Sequence, residues 1–128
     1  MRQIEEIASE LAKIFVKCWA NKRDMVYAIG SACALMDIPE SMAYELIYLF
    51  NIKICELDGI LKENYRNKEY EEIVQKCYHS PSFKKQSLED LRRKMASLPL
   101  EMSYRDIKRC FSLISELKGE DPNERGGD

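Results

Sequence analysis

One segment of the chain, residues 42–61, is apolar on nearly every side when it is wound as a helix. Fourteen of its twenty residues are Met, Ala, Leu, Ile, Phe, Tyr or Cys. At about 100° per residue Glu45, Lys53 and Glu56 share one narrow strip, and Leu49 and Ile52 interrupt that strip. A helix of this kind is either the central helix of a bundle or a helix that is shared with a partner.

The rest of the sequence also has the pattern of helices. Apolar residues recur at intervals of three and four from Ile4 to Trp19, which predicts one amphipathic helix over residues 2–20. Candidate N-cap residues precede later helices at Asp24, Asn67, Ser87 and Ser103. No useful length of strand-like alternation interrupts them. We therefore predict an all-α fold, a compact bundle of five or six helices in which residues 40–58 form the nearly all-round apolar central helix.

A chain of 128 residues fits one hydrophobic core and is too short for two independent cores. We predict a single helical domain over residues 1–118, which ends where the last apolar repeat ends. Residues 119–128 carry four acidic residues and one basic residue and no apolar residue. This composition predicts a polar, disordered tail.

The five cysteines are too widely spaced for a CxxC pair, and an odd number cannot all be bridged within one chain. Free thiols predict a reducing compartment, and we expect the protein to be cytoplasmic. The acidic start of the chain is unlike a signal peptide. Residues 42–61 carry four charged residues, and a charge at the centre of a membrane-spanning helix costs about 2.5–3.5 kcal/mol on insertion scales. We therefore expect no membrane partner.

No group of residues in the sequence is typical of catalysis. His79 is the single histidine, and Cys77, two positions before it, lies on a different face of a helix. The acidic residues Glu69, Glu71 and Glu72 fit the first turn of a helix, where they complement the helix dipole. The scattered glycines match no phosphate-binding loop. We predict a protein that is not an enzyme, with no metal site, no cofactor and no small-molecule substrate.

The leading functional hypothesis is a non-enzymatic interaction protein: an adaptor, a regulator or a small subunit of a larger assembly. It would bind a protein partner, or a second copy of itself, through a face of the apolar helix. Tyr44 and Tyr48 are one turn apart and suit the anchors of an interface. The residues predicted for this interface are Tyr44, Tyr48, Leu49 and Ile52. The alternative is that Leu49 and Ile52 belong to the core.

A second hypothesis rests on the basic residues of the second half of the chain. Residues 60–118 hold thirteen basic and nine acidic side chains. A basic surface with interleaved aromatic residues can follow a phosphate backbone. This predicts backbone-directed nucleic-acid binding through residues 84–109. The residues assigned to it are Lys84, Lys85, Arg92, Arg93, Arg105, Lys108 and Arg109. The simpler alternative is a solvated charged face that is neutralised by Glu89, Asp90 and Asp106.

Overall fold

A computed structural model describes residues 3–59 and 68–120 of the chain. Within these ranges the chain forms seven α-helices, one 3-10 helix and no strand. The α-helices are α1 (Ile4–Phe15), α2 (Lys22–Leu35), α3 (Glu40–Asp58), α4 (Lys68–His79), α5 (Pro81–Lys84), α6 (Leu88–Ala96) and α7 (Tyr104–Ser115), and the 3-10 helix η1 follows at Glu116–Glu120. The all-α prediction is confirmed. The predicted number of five or six helices also agrees roughly, because α5 is a single turn of four residues beside six longer helices.

The apolar helix predicted at residues 40–58 is α3, and its bounds agree with the prediction. It packs against α1, α2 and α4, and it buries residues on more than one side, including Leu46, Phe50 and Cys55. The Phe50 ring meets the ring of Phe15 from α1 edge to face, with the ring centroids 5.6 Å apart. This buried pair joins α1 and α3 at the centre of their contact.

Helix α2 packs against α3, α4, α5, α6 and α7. Its buried residues include a run of small ones, among them Ala28, Gly30, Ser31 and Ala32. A Cβ atom built on Gly30 would lie 3.0 Å from the Sγ atom of Cys77 in α4. Small residues on this face therefore let several neighbouring helices approach α2 closely.

The helix starts agree in part with the predicted caps. The side chains of Ser87 and Ser103 accept hydrogen bonds from backbone N–H groups at the starts of α6 and α7, which confirms both as N-caps. The prediction of Asp24 as the cap of α2 is wrong. The side chain of Asn21 accepts the N–H of Asp24 at 2.9 Å, so α2 begins at Lys22 and Asp24 stands within its first turn. The predicted cap at Asn67 lies outside the described residues.

The C-terminal prediction is only partly covered by the described residues. Helix α7 is followed directly by η1, which continues to Glu120, two positions into the predicted tail. Residues 121–128 of that tail lie outside the described residues. Within the described part of the chain, no helix combines the length and the apolar character that crossing a bilayer requires.

The first helix is shorter than the sequence predicts. Helix α1 ends at Phe15, and the side chain of Trp19 is 85% exposed, so its assignment to the apolar stripe is wrong. The N–H groups of Lys17 and Cys18 donate to carbonyls three residues earlier, at Ile14 and Phe15. Such bonds tighten the last turn and change the direction of the chain. The following residues therefore no longer continue the stripe.

We expect the intrinsic fluorescence of the folded protein to be that of a solvent-exposed indole. Trp19 is the single tryptophan of the chain, and its side chain is 85% exposed. Its emission maximum should shift little on unfolding in guanidinium chloride. Iodide should quench the emission of the folded protein nearly as well as that of the unfolded protein. A clearly blue-shifted, quencher-protected emission would contradict the exposed position, and a dilution series would show whether self-association causes it.

We expect Gly30→Ala to lower the free energy of unfolding by about 1–2 kcal/mol, although alanine has the higher helix propensity. Overpacking a core costs about 1–3 kcal/mol, whereas the propensity gain is at most about 1 kcal/mol. The same substitution in a Cys77→Ala background should be neutral or stabilising, because the Sγ atom at 3.0 Å is gone. Urea unfolding of the four proteins measures this coupling. Equal effects of Gly30→Ala in both backgrounds would show that the residues do not touch.

Candidate functional site

A groove of about 390 Å³ opens between α2, α5, α6 and the loop that joins α6 to α7. Its apolar lining comes from all of these segments, namely Tyr27 and Ala28 of α2, Phe83 of α5, Leu91 of α6, and Leu98, Pro99 and Leu100 of the loop. We call it the Leu98 groove. Because α2 is distant in sequence from the consecutive segments α5, α6 and the loop, the groove exists only in the folded bundle.

Stacked side chains fix one part of the Leu98 groove. The rings of Tyr27 and Phe83 are nearly parallel, at 10°, with their centroids 5.7 Å apart. The guanidinium carbon of Arg23 lies 5.9 Å from the centroid of the Tyr27 ring, and Arg23 also forms an ion pair with Glu69 at 3.1 Å. Stacking of this kind contributes about 0.5–1.5 kcal/mol beyond the buried area. It holds the short helix α5 against α2 and leaves both rings half-buried.

The loop between α6 and α7 is fixed by its own backbone. The N–H of Glu101 donates to the carbonyl of Ser97 at 2.8 Å, and the N–H of Met102 donates to the carbonyl of Met95 at 2.9 Å. The loop buries Leu100 and Met102 in the core. Leu98 is directed outward and is 73% exposed, although it lines the groove. The loop therefore places an exposed leucine at the edge of an apolar concave surface.

Three of the polar residues that line the groove, Lys94, Gln86 and Ser31, already have side-chain partners. The ammonium of Lys94 donates to the side-chain oxygen of Gln86 at 3.2 Å. The hydroxyl of Ser31 is buried and shares a hydrogen bond with the thiol of Cys77 at 3.5 Å. In the described ranges no cluster of three His, Cys, Asp or Glu side chains is arranged to hold a metal ion. The chemistry that the groove offers is therefore the burial of apolar groups.

The residues predicted for an interface on α3 lie partly together. Tyr44, Tyr48 and Leu49 line a second groove of about 320 Å³ with two polar neighbours, and Ile52 is not part of this lining. Tyr44 and Leu49 also pack against the core, and the Tyr44 hydroxyl donates to the backbone carbonyl of Glu71 at 3.4 Å. All four side chains are half-buried. The apolar strip on α3 is therefore less exposed than an unpartnered helix face would be, and its role as an interface stays a prediction.

The basic residues predicted for nucleic-acid binding divide into two sets. Arg92 and Arg93 both pair with Glu89 on the same helix, and Arg109 lies 3.5 Å from a carboxylate oxygen of Glu10 in α1. Arg92 also lies over the ring of Tyr104, 5.2 Å from its centroid. In the described part of the chain the other four are exposed and have no acidic partner: Lys84, Lys85, Arg105 and Lys108.

His79 is the last residue of α4, and it has a partner that the sequence did not indicate. Its Nε2 atom lies 2.7 Å from a carboxylate oxygen of Glu40, at the start of α3. The nearby hydroxyls of Ser80 and Ser82 bond to each other at 3.0 Å, and among the described residues neither bonds to the imidazole. A nucleophile needs such a bond to be activated by its base. The His79–Glu40 pair joins the end of α4 to the start of α3.

The sequence did not predict the Leu98 groove. Its one local signal is the apolar run Leu98-Pro99-Leu100 in a connection between two capped helices. No protein-family model, curated protein sequence or solved structure matches the chain. The functional assignment therefore rests on the geometry and the chemistry of the described residues.

Proposed function

We propose that the chain is a non-enzymatic interaction protein that binds a protein partner through the Leu98 groove. The observation that carries this proposal is Leu98 itself, 73% exposed at the edge of an open apolar groove of about 390 Å³. A fully exposed leucine that becomes buried contributes about 1.5–3 kcal/mol. A partner that covers Leu98 and fills the groove with its own apolar side chain would gain this free energy.

The lining of the groove favours a protein partner over a small metabolite. Sites for small polar molecules carry convergent hydrogen-bonding groups that fix the ligand, whereas Lys94, Gln86 and Ser31 are engaged with protein atoms here. An amphipathic helix that presents apolar residues to the groove has the required chemistry. The half-buried rings of Tyr27 and Phe83 would serve as contact surfaces, as aromatic residues do at the centres of interfaces.

A second candidate function is backbone-directed binding of nucleic acid. The observation that favours it is the set of four exposed basic residues without acidic partners in the described part of the chain: Lys84, Lys85, Arg105 and Lys108. Cations of this kind can exchange bound counterions for phosphates. The paired state of Arg92, Arg93 and Arg109 weakens this candidate, because Glu89 and Glu10 already offset part of their charge.

We expect Leu98→Asp to weaken partner binding about ten- to a hundredfold, since about 1.4 kcal/mol corresponds to a factor of ten. The partner is first captured by a photo-crosslinking residue placed at position 98, 52 or 57 in cells that express the chain. Its affinity is then measured by titration calorimetry against wild-type protein, Leu98→Asp and Leu57→Asp. Leu57 is a matched control because it is also an exposed leucine, at 49%, but lies on α3.

Three outcomes of this experiment separate the two surfaces. A protein captured at position 98, with an affinity that Leu98→Asp lowers and Leu57→Asp leaves unchanged, supports the Leu98 groove. Capture at position 52 without capture at 98 would move the interface to the predicted face of α3. Capture at neither position, together with a monomer in sedimentation at high concentration, would contradict a protein-binding function for both.

For the second candidate, we expect Arg105→Gln with Lys108→Gln to weaken binding of labelled DNA and to reduce the slope of log affinity against log salt. Each lost phosphate contact reduces that slope by about 0.9 for duplex DNA, so the pair should reduce it by about 2. Fluorescence anisotropy across a salt series measures both quantities. Arg92→Gln is the control, since Arg92 is already paired with Glu89. An unchanged slope in the double variant, or no binding at low salt, would exclude this function.

A further inference from the structure

A lysine and a cysteine from two different helices lie in direct contact. The Nζ atom of Lys22, the first residue of α2, is 2.8 Å from the Sγ atom of Cys55, near the end of α3. Cys55 is buried, with 3% of its surface exposed. Lys22 is half-buried and covers the sulfur from the side of α2. The two residues are 33 positions apart in the chain, so the contact is a product of the fold.

The other four cysteines lie in different surroundings. Burial raises the pKa of Cys33, Cys110, Cys77 and Cys18, which keeps these sulfurs as neutral thiols. Cys55 is the one cysteine, of five that are all described, whose sulfur accepts a hydrogen bond from a cation. The thiolate is the nucleophilic form of cysteine, and a neighbouring ammonium stabilises it. The contact with the Lys22 ammonium therefore distinguishes Cys55 from the other four cysteines.

The surroundings of Lys22 favour its cationic form. Burial by itself lowers the pKa of Lys22, whereas its hydrogen bond to Cys55 raises that pKa. Tyr70 and Asp58 act in the same direction, and the pKa of Lys22 ends above its ordinary value. Lys22 can therefore hold a proton beside Cys55 until a reaction at the sulfur consumes it.

We propose that Lys22 and Cys55 are a site of oxidative modification, at which a peroxide links their side chains through a reversible sulfur–nitrogen bond. The form that reacts is the Cys55 thiolate beside the Lys22 ammonium, since the thiolate is the nucleophilic form of cysteine. The Cys55 sulfur attacks one peroxide oxygen and the O–O bond breaks. The leaving hydroxide takes a proton from Lys22 and departs as water. Sulfur is oxidised by two electrons to sulfenic acid, the peroxide is reduced, and Lys22 is left as a neutral amine.

The second step is a condensation. The lone pair of the Lys22 amine attacks the Cys55 sulfur and forms the S–N bond, while the S–OH bond breaks. The hydroxide takes one proton from the nitrogen and leaves as a second water. One peroxide is consumed and two waters are formed for each bond. Sulfenic acids condense with nearby nitrogen atoms in this way, and here the nitrogen is already in contact with the sulfur.

The bond would tie the first turn of α2 to the last turns of α3 and remove the positive charge of Lys22. Neither residue lines the Leu98 groove, so the inference does not depend on the proposed function. A thiol reductant would reverse the bond by attacking the sulfur and releasing the lysine amine.

The test treats the purified full-length protein with hydrogen peroxide and analyses protease digests by mass spectrometry. We expect a linked pair of peptides that contain Lys22 and Cys55, lighter than their sum by two hydrogen atoms, and its loss on treatment with dithiothreitol. Lys22→Arg keeps a positive charge but should abolish the linked pair. Cys55→Ser should abolish it as well, whereas Cys18→Ser is the control and should leave it unchanged.

Circular dichroism first confirms that each variant is folded, and Lys22→Arg alone decides the question if Cys55→Ser does not fold. Peroxide treatment that oxidises Cys55 to sulfinic acid without a link to Lys22 would overturn the proposal. So would an unmodified Cys55 after the other thiols have reacted. A linked pair that carries one additional oxygen atom would overturn the direct sulfur–nitrogen bond.

Discussion

The close approach of neighbouring helices to the small-residue face of α2 is the constraint on which the rest of the structure depends. Gly30 lies so near Cys77 that a methyl group at this position would stand 3.0 Å from the sulfur. This proximity brings α4 against α2, which also packs against α3, α5, α6 and α7. Interiors are packed to the density of organic crystals, so a larger residue at position 30 would press against Cys77 of α4. Both sites discussed above use residues of α2.

The Leu98 groove is completed by a short loop that buries some of its apolar side chains and leaves Leu98 exposed. Leu100 and Met102 are buried, and the backbone bonds of Glu101 and Met102 hold this arrangement. Residues 98–100 form a turn, which the bond from the Glu101 N–H to the Ser97 carbonyl closes, so Leu98 and Leu100 do not face the same side as they would in an extended segment. Leu98 is therefore left in solvent beside the apolar residues of α2, α5 and α6. An exposed apolar side chain beside a concave apolar surface is the feature that a protein partner can cover.

Only some of the basic residues in the second half of the described chain have acidic partners. Glu89 pairs with both Arg92 and Arg93 within α6 and offsets part of their charge, and Glu10 approaches Arg109 from α1. Ion pairs at a surface contribute little to stability, about 0–1 kcal/mol, but they reduce the charge that a polyanion would meet. The simpler alternative to nucleic-acid binding was a charged face with acidic partners. It describes these three arginines, although Glu10 was not among the predicted partners. It does not describe Lys84, Lys85, Arg105 and Lys108.

The sequence by itself determined the helical class, the bounds of α3 and the caps at Ser87 and Ser103. These features depend on side-chain periodicity and on hydrogen bonds between residues three or four positions apart, which any reader of the sequence can see. Tertiary structure decided the exposure of Trp19, the Leu98 groove, the His79–Glu40 pair and the contact between Lys22 and Cys55. Each of the last three joins residues from different helices, and local periodicity carries no information about which helices meet. The surface that a partner would bind and the thiol that a peroxide would oxidise are therefore properties of the packed bundle.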